Sequence, residues 1–138
     1  MKKAALPAPA LSGVYHAPPH VAAVRETLDK SGARWLEIDL SKVRTKADLM
    51  AALARSIAVP ADFGHNWDAL ADVLQDLSGQ SASAYVLHVR ECAAASRALG
   101  SDWATLLEIL AESAMYWKRR RKAFVVLVDD AAELPPWI

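Results

Sequence analysis

The chain has 138 residues, 54% of them apolar, and its sixteen basic and sixteen acidic side chains give a formal net charge of zero. That length suits one domain with a single core, and the charge balance excludes a global field that would draw the protein to nucleic acid or a membrane, so electrostatic function has to come from local patches. The single Cys92 excludes an internal disulfide and, with no apolar run near the ~20 residues of a membrane helix, the composition reads as a soluble cytoplasmic protein.

In chain order, residues 1–12 are rich in Ala and Pro and read as a flexible tail. Pro7 and Pro9 interrupt the Ala-Leu stretch after Met1-Lys2-Lys3, which argues against a secretory signal. Residues 13–33 form an N-terminal extension: an extended piece over 13–17, then Pro18-Pro19 and a helix over 20–30, with Val21, Val24 and Leu28 on one side and Gly32 as its stop. Residues 34–40 alternate Leu36, Ile38 and Leu40 with Trp35, Glu37 and Asp39, the period of a strand with one buried face. Thr45 caps a helix carrying Leu49, Leu53 and Ile57, ended by Val59-Pro60.

A third helix is expected over 66–77, with Asn66 as N-cap and Ser78-Gly79 as its stop. The near-continuous apolar run 84–89 reads as a strand covered on both faces. An Ala-rich helical segment over 91–99 precedes a helix capped by Ser101 or Asp102, with Trp103, Leu106, Leu107, Leu110, Ala114 and Trp117 on one face. The run 124–128 is the last strand, before a Pro135-Pro136 tail. Strands separated by helices imply parallel pairing with right-handed crossovers, an α/β layer fold.

The helix from Asn66 carries the most informative pattern. Asp68, Asp72 and Asp76 repeat every four residues, which places them within a sector of about 80° on a helix, while Leu70, Val73, Leu74 and Leu77 fall on the opposite side. Like charges four apart repel by a few tenths of a kcal/mol per exposed pair, and only Asp68, in the first turn, is favoured by the helix dipole. Spacing alone also describes an ordinary solvated helix face.

The run Phe63-Gly64-x-Asn66-x-Asp68-Ala69-Leu70-x-Asp72 resembles the signature of the barstar (barnase inhibitor) family, and the resemblance extends from about Arg34 to Asp129 with the elements in the same order. It implies a three-stranded parallel sheet packed against helices over 34–138, to which the extension would add a strand and a helix. It also implies a loop and helix that plug the active site of a basic ribonuclease, or a similar toxin protein, with carboxylates where the enzyme binds substrate phosphate. By position Asp72 matches the central anchor and Asp68 its neighbour. Phe63, Gly64 and Asn66 shape and cap the loop, Asp76 extends the acidic face, and Glu112 on the later helix matches a third acidic contact.

The chain departs from the family at Asp62, where a loop tyrosine is common, at His65 in place of an acid, and at Ala71 in place of an exposed aromatic. These departures open the target to an enzyme other than barnase and keep a non-inhibitory interaction module of the same fold as an alternative. A catalytic reading would have to use His65, Asp68, Asp72 and His88. No second histidine has metal-ligand spacing and no phosphate loop or nucleophile elbow is present, so neither enzyme, metal nor cofactor is expected. Cys92, among alanines, reads as a buried thiol. A nucleic-acid reading rests on Lys118 to Lys122, but such runs commonly answer a helix dipole, and neither an aromatic platform nor a reading motif accompanies this one in sequence.

Overall fold

A computed structural model describes residues 7–57, 59, 63–77 and 82–137. In chain order these form β1 (Gly13–His16), α1 (Val21–Asp29), β2 (Arg34–Asp39), α2 (Lys46–Ile57), α3 (Trp67–Leu74), β3 (Ala84–Arg90), α4 (Cys92–Leu99), α5 (Ser101–Arg119) and β4 (Ala123–Val128). The strands make one parallel sheet in the order β1-β4-β3-β2. Three of them are those expected of the main domain. The fourth, β1, comes from the N-terminal extension and lies on the sheet edge beside β4, so the sheet has four strands.

Helices α2 to α5 cover one face, burying Leu36, Ile38, Tyr85, Leu87, Val89, Phe124, Val126 and Val128 against Leu49, Leu53, Leu70, Leu74, Leu106 and Leu110. The crossover from β1 to β2 carries α1 over the other face, where Leu28 packs with Trp35, Val86, Val125 and Leu127. This corrects the expectation of a one-sided β2. Trp35 is 8% exposed because α1 lies over it, and the Arg25 guanidinium stands 5.7 Å from its ring centroid. The central strands β3 and β4, buried on both faces, are apolar almost throughout for that reason.

Several element ends differ from the sequence reading. Helix α5 begins at Ser101 itself, with Gly100 as N-cap and no side-chain capping bond. Gly100, at φ 58°, turns the chain directly from α4 into α5, so Ser101 and Asp102 already lie inside the first turn. Within the stretch expected as a tail, residues 9–11 make a 3-10 turn. Ser12 is buried; its hydroxyl donates to the Lys122 carbonyl at 3.3 Å and accepts from Phe124 N–H at 3.0 Å. The Val59-Pro60 and Ser78-Gly79 stops extend beyond the described residues at Pro60, Ser78 and Gly79.

The free edge of β1 is covered by the C-terminal segment. His16 N–H donates to the Pro135 carbonyl at 2.8 Å and Trp137 N–H to the His16 carbonyl at 3.2 Å. The Trp137 ring meets Tyr15 edge-on at 5.1 Å. Prolines suit this place because an edge offers them positions where no N–H is needed.

Candidate protein-binding site on the acidic helix

Helix α3 is only eight residues long, too short to hold its shape alone, and is secured at both ends. At its start Asn66 Oδ1 accepts from Ala69 N–H at 2.8 Å, while Asn66 Nδ2 donates to the Gly64 carbonyl at 3.2 Å. One side chain therefore ties the helix to the loop before it. Gly64 has to be small, since a Cβ there would lie 2.9 Å from Asn66 Nδ2. His65 takes a left-handed conformation, φ 52°, and its ring packs against Phe63 at 5.0 Å, with Phe63 in turn set against the main core. Lys46 on α2 holds its ammonium 5.3 Å over the Trp67 ring.

At the other end the Trp117 indole N–H donates to the Leu74 carbonyl at 2.8 Å. That bond explains why α3 stops at Leu74 instead of Leu77. The carbonyl that a continuing helix would offer to residue 78 is taken by α5, and Asp76 N–H bends back to Val73 at 3.2 Å. Asp76 accordingly lies two residues past the helix, exposed, and does not continue the helical register of the other two acids. This is a correction: two carboxylates, not three, share the helix face.

Asp68 and Asp72 are both exposed, about 40° apart around the helix axis, and Leu70 and Leu74 on the opposite side are fully buried. Glu112 is exposed on α5, the helix that packs on α3, and so is Glu108. Asp62 lies outside the described residues. Ala71 is half-buried, packed against the core.

Of the residues a catalytic reading would need, His88 stands apart from the α3 segment that carries the others. His88 on β3 points to the sheet face opposite α3. Its Nδ1 lies 3.3 Å from Glu37 Oε2 and its Nε2 2.9 Å from Asp129 Oδ1. Burial pushes the Glu37 carboxyl up, but hydrogen bonds from His88 and Trp35 and the charges of His88 and Arg90 outweigh it and leave the group below the ordinary range. This network escaped the sequence reading; its signal was the pair Glu37 and His88 at inward positions of adjacent apolar strands. Cys92 is buried and its thiol is pushed up to about 12, chiefly by burial, with the Asp129 charge adding to it. Among the described residues no three His, Cys, Asp or Glu side chains are placed to hold a metal ion. A cleft of about 400 Å³ beside β2 and α2, lined by residues including Glu37, Asp39, Lys42 and Arg55, contains none of the candidate side chains.

The α3 face thus presents two exposed carboxylates on a short helix anchored at both ends. The family model for barstar (barnase inhibitor) matches residues 33–129, more than two thirds of the chain. The chain belongs to the barstar family. The match takes in β2 to β4 and all of α2 to α5, while β1 and α1 precede it. No curated protein matches the chain. Among the described residues no helix of this barstar-family protein is long and apolar enough to cross a membrane.

Proposed function

We propose that the protein is an inhibitor, or immunity protein, that neutralises a basic ribonuclease by laying the α3 face and its preceding loop into the enzyme's active site. The observation that carries this is the presentation of Asp68 and Asp72 on a helix capped by Asn66 and closed by Trp117. A ribonuclease site is built from Arg, Lys and His donors that bind phosphate, and a carboxylate pair satisfies the same donors with charge-assisted hydrogen bonds. Carboxylates held on an anchored helix lose little further conformational freedom on binding, which favours affinity. Opposite patches also speed encounter in a salt-dependent way, an effect for which barnase and barstar are themselves a standard example.

Asp72 is the central anchor and Asp68 the second. Gly64, Asn66 and Phe63 hold the loop, and Asp76 and Glu112 contribute at the margin. His65 and Ala71 stand where the family resemblance puts an acid and an aromatic, and these differences direct the search to ribonucleases other than barnase. The protein works in the cytoplasm on this reading, without a cofactor.

Titration calorimetry against a panel of catalytically inactivated bacterial ribonucleases tests it. A one-to-one complex that Asp72→Ala weakens by about 2–4 kcal/mol, roughly 30- to 1,000-fold, is the expected result. Binding indifferent to Asp72, or no binding across the panel, would leave the fold intact and the reading wrong, with a non-inhibitory interaction module in its place.

A further inference from the structure

Five cations, Lys118 to Lys122, follow one another where α5 ends and β4 begins. The chain reverses there through paired bonds: Lys122 N–H donates to the Trp117 carbonyl and Arg121 N–H to that of Lys118, both at 3.0 Å. The position this turn forces into the left-handed region is usually glycine. Here it is Arg121, at φ 62°. Among the described residues none of the five cations is in a salt bridge, so the strain at Arg121 is not repaid by an ion pair. The helix dipole accounts for Lys118 and Arg119 in the last turn, but not for the rest.

Two of the remaining cations are held in place by aromatic rings. Arg120 lies 3.6 Å over the Tyr116 ring, and its Nη1 donates to the Tyr116 carbonyl at 3.2 Å. The Lys122 ammonium stands 5.6 Å from the Tyr85 ring centroid and 5.8 Å from that of Trp117. Sequence shows no aromatic platform for this run, yet the fold brings three rings beneath it, each already facing a cation. A site of this kind offers ordered positive charge and leaves little ring face for stacking bases.

We propose that this basic turn binds the phosphodiester backbone of single-stranded nucleic acid without sequence preference. Lys118 to Arg121 are exposed around the chain reversal at Arg121, which sets the cations on a knuckle of the chain and not along one helix face. A flat anionic membrane meets only part of such a knuckle at once, and duplex DNA, with a persistence length of about 150 bp, does not bend around it. A flexible strand can wrap it and neutralise several phosphates in series. The turn has no helix or ribbon to enter a groove, which leaves base sequence unread. This inference is independent of the inhibitor reading, since none of the residues proposed to bind a ribonuclease takes part.

Fluorescence anisotropy of the full-length protein with labelled 12-nucleotide oligo-U RNA and oligo-T DNA, beside co-sedimentation with phosphatidylserine vesicles, is the test. Four neutralised phosphates correspond to affinity falling about 50-fold between 50 and 200 mM salt. Arg119→Gln with Arg121→Gly should weaken oligonucleotide binding about 10-fold or more at 50 mM salt. Arg121→Gly alone should weaken binding while raising the melting temperature, opposite signs that a purely structural arginine could not produce. The RNA and DNA arms identify the polymer. Absence of saturable binding to both oligonucleotides, unchanged affinity in the double variant, or binding to vesicles alone would overturn the proposal.

Discussion

Glu37 gathers four partners around one carboxyl group. Besides His88 it receives the Trp35 indole N–H at 3.3 Å and faces Arg25 at 3.3 Å and Arg90 at 3.5 Å. His88 is nearly buried between Glu37 and Asp129, one ring nitrogen facing each carboxyl group. Glu37 is held below its ordinary range, so the stability it contributes is present above the unfolded value near 4.5 and is lost as pH falls through the folded one. Glu37→Gln should therefore lower stability at pH 7 by about 1 kcal/mol, a figure reduced for solvent screening of a partly exposed group. The difference from the parent should shrink as pH is lowered past 4, read by urea unfolding at a series of pH values. A loss that stays constant down to pH 3 would mean that packing, not charge, sets the effect.

At the level of elements, α3 owes its position to two contacts made by side chains at its ends. Asn66→Ala removes the cap and should cost about 1 kcal/mol. Trp117→Phe keeps the ring but removes the indole N–H from Leu74, leaving that carbonyl without its donor, and should cost about 1–2 kcal/mol. Both variants should weaken the proposed ribonuclease complex while Asp68 and Asp72 are intact, which calorimetry would read directly. The N-terminal contact was legible in the sequence, since Asn before an apolar repeat is a local signal, and so were the strand segments and their parallel pairing, though not their order in the sheet. The C-terminal contact was not, because the bond from Trp117 to Leu74 joins residues 43 apart and no local pattern encodes it. For the same reason the third carboxylate was misplaced: the i, i+4 spacing of Asp76 is real, but a tertiary contact ends the helix before it. Trp35 was read as the exposed side of an alternating strand because nothing in residues 34–40 reports that α1 lies above them.

Considered as a whole, the molecule divides its apolar groups between two cores. The second core, Trp35, Val86, Val125 and Leu127 under Leu28 of α1, depends on residues that precede the family match. A chain starting at residue 34 would retain every element of the match and still uncover that face. It should be markedly less stable than the full chain and prone to association, seen as a lower urea midpoint and an aggregated fraction in size-exclusion chromatography. A monomer of unchanged midpoint would show that α1 and β1 are accessories. The pairing of β1 with β4 also has a kinetic side. Ser12 and Phe124, joined by a hydrogen bond, are 112 residues apart, so the strand synthesised first waits for the strand synthesised last. Closing so long a loop is slow relative to local contacts. During translation, then, β1 has no partner strand until almost the whole described chain has left the ribosome, and the sheet is completed from its β2 edge across to its β1 edge, the oldest of these strands docking at the end.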